Sequence, residues 1–282
     1  MPLTRRELLA LAAAAAPAFA RSRGPKLGVT DWNLKMTGRI GALAFAKKIG
    51  FSGVQISLGM QPVNGHLPLS DHKAQLNYSS ESEKLDFPIA STCLDILHVN
   101  YLKNDKLGQQ WVREGIAATS AMGVEVMLLP FFGKGAIEAR DEQNAVADIL
   151  GEIGPEAVKA KVILGIENTI SAEDNIRILE RANSKAVRVF YDTGNSFEKG
   201  FDIYREIRTL TAKRICQIHL KDNPHYLGEG KIDFDKVLRS IADAGFKQWA
   251  VLETDSPSGN IEGDMKRNLT FLDRLLLTTP KG

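Results

Sequence analysis

The sequence predicts a single α/β domain built as a closed (β/α)8 TIM barrel, and three observations carry that prediction. From Lys26 onward, short apolar runs alternate with amphipathic stretches, eight of each. The apolar runs are continuous rather than alternating, as strands buried on both faces are. No Gly-x-Gly-x-x-Gly turn follows the first run, where Val29-Thr30-Asp31-Trp32 stands instead, so the open doubly wound sheet lacks its usual opening signal. Eight strand–helix units in this order close into a barrel more readily than they lie flat.

The first strand is expected at Lys26–Thr30, followed by a helix over Arg39–Ile49 in which Ile40, Leu43, Ala44 and Ile49 share one face. Gly53–Ser57 is the second strand. A long loop over Gly59–Ser70 separates it from a helix at His72–Leu85. The third and fourth units pair Ile89–Leu94 with Leu107–Met122, and Glu125–Pro130 with Asp141–Ala160. In the fifth, Val162–Glu167 leads to Ala172–Asn183, with Ser171 in position to cap the helix. Arg188–Asp192 and Ile203–Ala212 form the sixth. The seventh is Ile215–His219 with Phe234–Ala244, opened by Asp233 and closed by Gly245. Trp249–Glu253 and Asp264–Leu277 complete the series. No linker or low-complexity tract interrupts it, so one barrel domain is expected over 24–279.

The N-terminus reads differently. Arg5-Arg6 precedes an alanine-rich apolar run that ends on Ala18-Phe19-Ala20, the pattern of a cleavable signal peptide. The paired arginines point to the twin-arginine export route. Cleavage after Ala20 and a periplasmic or otherwise extracytoplasmic enzyme are expected. Loss of residues 1–20 takes Arg5, Arg6 and Glu7 with it, and the formal net charge falls from +2 to +1. Such a balance offers no electrostatic footprint for nucleic acid or an acidic membrane. Cys93 and Cys216 both fall inside expected strands, where isolated cysteines act as small buried apolar residues. No disulfide is expected.

Chemistry in such a barrel sits at the C-terminal ends of the strands. Four consecutive runs end there in residues able to bind a metal: Glu167, Asp192, His219 and Glu253. One acidic residue after a strand is ordinarily a helix cap or a solvated loop residue. Four in succession, each preceded by apolar residues, point to a shared cation, because buried carboxylates without one are costly. Three carboxylates and one imidazole suit an oxygen-preferring divalent ion, Mn²⁺ first, with Co²⁺ and Mg²⁺ as alternatives. Zn²⁺ also accepts such ligands, although structural zinc sites favour cysteine and histidine.

These four residues, the His219-Leu-Lys-Asp-Asn223 stretch and Leu227-Gly-Glu-Gly-Lys-Ile-Asp233 resemble the xylose isomerase-like barrel superfamily. Within it the chain is most similar to the sugar phosphate isomerase/epimerase group. The resemblance spans nearly the whole mature chain and is strongest from Val162 to Glu253. It implies that Glu167, Asp192, His219 and Glu253 are the metal ligands and that Glu167 and Glu253 double as the acid/base pair. One departure stands out. Many members carry histidine three residues after the sixth-strand aspartate, and here that position is Asn195, which can hydrogen-bond a hydroxyl but cannot exchange protons near neutrality.

The expected reaction is isomerisation or epimerisation of an unphosphorylated keto-sugar or cyclitol by proton transfer through a metal-stabilised enediolate. The alternative is a lyase or dehydratase acting on a keto-sugar or keto-glycoside. An abasic-site endonuclease and a non-catalytic sugar-binding barrel rank below these. Lys221, Asn195, Trp32, His66 and Phe132 are candidate substrate contacts. For Lys221 the competing reading is an ion pair with Asp222 or Glu229. Trp32 follows the first strand, and Phe131, Phe132 and Lys134 follow the fourth; the aromatic rings suit either a wall for a sugar's C–H face or barrel-top packing. His98 and His225 are weaker candidates, and Glu229 reads as structural. No glycine-rich phosphate cradle stands after strands seven and eight, since Ser256-Pro-Ser-Gly259 is a poor match. The expected partner is a small sugar or keto-sugar. Neither nucleic acid nor a membrane is expected, and a homo-oligomer is compatible with the sequence.

Overall fold

The protein is described from a computed structural model covering residues 24–278. The expected signal peptide at 1–20 and the last residue of the expected domain, 279, lie outside the described residues. Eight parallel strands close in sequence order, and β1 pairs with β8. They are β1 (Lys26–Thr30), β2 (Gly53–Ser57), β3 (Ile89–Cys93), β4 (Val126–Pro130), β5 (Ile163–Glu167), β6 (Val187–Asp192), β7 (Ile215–Leu220) and β8 (Trp249–Leu252). The helices are α1 (Gly41–Ile49), α2 (His72–Leu85), α3 (Lys106–Ala121), α4 (Arg140–Ala160), α5 (Ala172–Ala182), α6 (Thr193–Glu198), α7 (Ile203–Arg214), α8 (Phe234–Asp243) and α9 (Ile261–Thr278). Among the described residues no helix is long and apolar enough to cross a membrane.

The capping expectations hold. Ser171 Oγ accepts the Asp174 N–H at 3.0 Å to open α5, and Asp233 accepts the Lys236 N–H at 3.1 Å to open α8. Three differences have local causes. Short α6 follows β6 directly because Asp192 caps it, accepting the Asn195 N–H at 2.7 Å; six residues are too few to show a helical period. Helix α9 begins three residues before the expected Asp264, where Asn260 Oδ1 accepts the Gly263 N–H at 3.0 Å. Strand β8 stops at Leu252, whose register with Val29 is its last pairing to β1, so Glu253 stands just beyond the strand.

The larger apolar core lies between strands and helices and takes in residues such as Leu43, Ile56, Val112, Leu150, Ile207 and Leu238. A smaller cluster of Cys93, Val126, Leu128, Phe190 and Cys216 fills the barrel interior. Both cysteines are free and buried. Successive side chains along a strand alternate between faces, so Gly165 shares the interior face with Glu167, as Phe190 does with Asp192. A Cβ at Gly165 would stand 2.8 Å from Cys216 Sγ and 3.2 Å from Phe190 Cβ. Phe190 in turn packs on His219, with ring centroids 4.5 Å apart. The glycine therefore makes room beneath the strand ends. Gly165→Ala should overpack this layer and lower stability by about 1–3 kcal/mol in urea denaturation; an unchanged midpoint would show that the layer is loosely filled.

Candidate metal centre

Glu167 ends β5, Asp192 ends β6, His219 is the penultimate residue of β7 and Glu253 follows β8. The registers bring Asp192 level with His219 and Leu220 level with Leu252. All four side chains thus gather at the C-terminal rim, as the sequence led us to expect. One ligand atom from each lies within 4.8 Å of all the others. His219 Nδ1 is 2.9 Å from Glu167 Oε1, 3.7 Å from Asp192 Oδ2 and 3.5 Å from Glu253 Oε2. Asp192, His219 and Glu167 are buried, whereas the Glu253 side chain is 19% exposed. The centre opens on the Glu253 side.

Lys221 completes the charge pattern. Its Nζ lies 2.6 Å from Glu253 Oε2 and 3.3 Å from Asp192 Oδ2, and it donates to Asn195 Oδ1 at 3.1 Å. The competing sequence reading placed its partner at Asp222 or Glu229. Those residues are engaged elsewhere: Asp222 accepts N–H groups of Gly228 and Gly230 at 3.2 and 3.0 Å, and Glu229 pairs with Arg267. Trp32 reaches across the β1–β8 seam, and its indole N–H donates to Glu253 Oε1 at 3.0 Å. Its ring meets His219 edge-on, with centroids 6.2 Å apart.

His66 and Phe132 are placed differently. The His66 side chain is 68% exposed and lies 3.4 Å from Glu114, and its polar contact is with that carboxylate rather than with the four ligands. Phe132 stacks on His98 at the end of β4, with centroids 6.2 Å apart, while neighbouring Phe131 is a core residue.

Two residues at the centre had no place in the sequence reading. Gln55 Oε1 lies 2.7 Å from His219 Nε2; a lone amide inside the apolar strand Gly53-Val-Gln-Ile-Ser57 was the available signal. Thr193 joins β6 to β7, donating to the His219 carbonyl at 3.1 Å and accepting the Lys221 N–H at 3.2 Å.

Burial and charge pull the titrating groups in opposite directions. Burial pushes Glu167 up to about 7 against the pull of His219. Burial also disfavours the imidazolium, yet the Glu167 and Glu253 carboxylates outweigh it and lift His219 to about 10. Asp192 is raised by burial but held well below the usual carboxylate range by Lys221 and His219. Lys221, opposed by burial, is raised by Asp192 and Glu253.

The donor set fits a divalent cation on three grounds. Asp192 Oδ2 is buried and accepts no hydrogen bond, and Lys221 Nζ, 3.3 Å away, is shared with Glu253, so this oxygen keeps coordinating capacity for an ion. An ion with bonds of about 2.1 Å sets neighbouring ligands about 3 Å apart and opposite ones about 4.2 Å apart, and the distances around His219 Nδ1 fall in that range. With His219 neutral, as a metal ligand must be, three carboxylates against one lysine leave two negative charges, matching one divalent ion. Glu167, Asp192, Glu253 and His219 Nδ1 would hold it.

Metal and proton compete for His219 Nδ1, so Mn²⁺ affinity measured by calorimetry should rise about tenfold per pH unit while one proton must leave, up to the histidine's pKa of about 10. The stability of EDTA-treated protein should move the other way. With the histidine raised from 6.5 to about 10 by folding, its contribution is complete below about 6.5 and lost as pH climbs through about 10. A pH-independent affinity would contradict this assignment of Nδ1.

The family profile described as xylose isomerase-like TIM barrel matches residues 43–275. A 2-epi-5-epi-valiolone 7-phosphate 2-epimerase from Actinoplanes sp. is 27% identical over 204 residues, taking in 71% of this chain and 73% of that one. An inosose dehydratase from Geobacillus thermodenitrificans is 26% identical over 160 residues, 46% of this chain and 52% of that protein. The solved structure of L-ribulose 3-epimerase shares the fold with a TM-score of 0.73 at 18% identity, covering 90% of this chain and 95% of that chain. The chain is an enzyme, and it belongs to the xylose isomerase-like TIM barrel family.

Proposed function

We propose that this enzyme is a divalent-metal-dependent isomerase or epimerase of an unphosphorylated keto-sugar or cyclitol. The observation that carries the reading is the arc Glu167–Asp192–His219–Glu253, gathered within 4.8 Å with a glutamate at each end. A divalent ion held there, Mn²⁺ before Co²⁺, Mg²⁺ or Zn²⁺, supplies Lewis acidity to the substrate carbonyl and stabilises the negative charge that develops on its oxygen. The glutamates come from the ends of β5 and from just beyond β8, with β6 and β7 between them. They can address a substrate from two sides: one removes the proton beside the carbonyl, and the other returns a proton on the opposite face. Lys221 and Asn195, already hydrogen-bonded to each other, offer donors to substrate oxygens on the open side. Asn195 orients rather than transfers protons.

The unphosphorylated substrate class is supported by what occupies the phosphate position usual in such barrels, the loops after strands seven and eight and the adjoining helix start. Asp222 takes the N–H groups of Gly228 and Gly230. Asp264 takes the Ser258 N–H at 3.0 Å, and Asn260 takes that of Gly263. The chain's own acceptors fill a cradle that a phosphate would need. The Arg5-Arg6 leader supports an extracytoplasmic place of action, where free sugars are the more available substrates.

A second reading is favoured by the dehydratase relative: the same proton abstraction followed by loss of a β-hydroxyl makes a lyase. One experiment addresses both. Mn²⁺-loaded enzyme in deuterated water with a panel of ketoses and 3-keto-sugars should place deuterium on the carbon beside the carbonyl. Glu167→Gln and Glu253→Gln should each lower that exchange by about 10²- to 10⁴-fold. An ultraviolet-absorbing unsaturated product would select the lyase. Absence of both exchange and elimination across the panel would overturn both readings.

A further inference from the structure

We propose that Gln55 is a positioning residue for the metal centre, holding the Nε2–H of His219 so that the Nδ1 lone pair faces the ion. The proposal rests on the metal reading given above. Gln55 lies in β2 and is fully buried inside the barrel. Its Oε1 stands 2.7 Å from His219 Nε2, on a strand 164 positions away in sequence. The opposite ring nitrogen faces Glu167, Asp192 and Glu253 at 2.9, 3.7 and 3.5 Å. An imidazole that binds a cation through one nitrogen must carry its proton on the other, and the group accepting that proton sets both tautomer and ring direction.

The surroundings leave this task to Gln55. Phe190 lies against the imidazole, with centroids 4.5 Å apart, and Trp32 meets it edge-on at 6.2 Å. Both aromatic rings restrict its tilt, and neither offers Nε2 an acceptor. Gln55 Nε2 is itself buried without a hydrogen-bond partner. The bond to His219 is therefore what orients the amide, and the nitrogen end is left unpaired so that the oxygen end can serve the histidine. A neutral amide also suits the electrostatics. Three carboxylates already surround Nδ1, and Gln55 fixes the ring without adding a fourth negative charge or a second proton acceptor that titrates.

The test uses the full-length, metal-loaded enzyme and reads binding and tautomer rather than turnover. In Zn²⁺-loaded protein labelled with ¹⁵N-histidine, long-range ¹H–¹⁵N correlation should show His219 protonated at Nε2 and metal-bound at Nδ1. Gln55→Met, close in volume but without the acceptor, should weaken Mn²⁺ and Zn²⁺ binding about 10- to 100-fold in calorimetry. Its urea midpoint in EDTA should fall by no more than the loss of one buried hydrogen bond, with a parent-like circular dichroism spectrum. Gln55→Glu, which restores an oxygen at the same place, should recover at least parent-like affinity. Metal binding through Nε2, or a Gln55→Met affinity within twofold of the parent, would overturn the proposal and leave the metal centre intact. Failure of the parent enzyme to bind any divalent metal would overturn both. If Gln55→Met does not fold, the spectrum of the parent enzyme and the affinity of Gln55→Glu decide.

Discussion

Everything at the top of this barrel depends on the repulsion among three carboxylates held close together in a water-poor place. Two like charges 4 Å apart repel by about 4 kcal/mol at an effective dielectric of about 20, and Glu167, Asp192 and Glu253 converge around a single imidazole nitrogen. Lys221 relieves part of that, and His219 gains affinity for a proton for the same reason. When His219 gives up that proton to bind an ion, two net negative charges remain, the complement of one divalent cation. The rim is arranged around that charge balance.

The supporting contacts follow from barrel closure. Because β1 pairs with β8, the loop after β1 can deliver the Trp32 N–H to Glu253. Asp31 anchors that loop, accepting N–H groups from Gly38 at 2.9 Å and from Ser57 at 3.2 Å. Because β6 pairs with β7, Thr193 can bind both the His219 carbonyl and the Lys221 N–H. Asp192 divides its oxygens between two tasks: Oδ1 caps α6, and Oδ2 faces the centre beside Lys221 Nζ and His219 Nδ1. A short helix thus sets the angle of a ligand and places Asn195 beside Lys221 at once. Fold and chemistry share these residues.

The four ligands were legible because a polar residue ending an apolar run is conspicuous, and a barrel dictates where such ends meet. Their helpers were harder to read for the same topological reason. Lys221 is legible as a candidate substrate contact, but its partners Asp192 and Glu253 become neighbours only when β6, β7 and β8 lie side by side. Trp32 is legible as a candidate substrate contact, whereas the bond of its N–H to Glu253 forms across the seam between β1 and β8. Gln55 shows in the sequence only as a lone amide in an apolar run, and its role is defined by His219 on the far side of the barrel interior. His66 sits in a long polar loop whose path no periodicity constrains, and its contact with Glu114 depends on packing between that loop and α3.

The central claim is that four strand ends share one ion. Diffraction from Mn²⁺-soaked crystals, collected at a wavelength where manganese scatters anomalously, tests it most directly. The predicted result is one strong anomalous peak per chain, bounded by Glu167, Asp192, Glu253 and the Nδ1 of His219. A peak bounded by other residues, or a fully occupied manganese site elsewhere with none among these four, would contradict it.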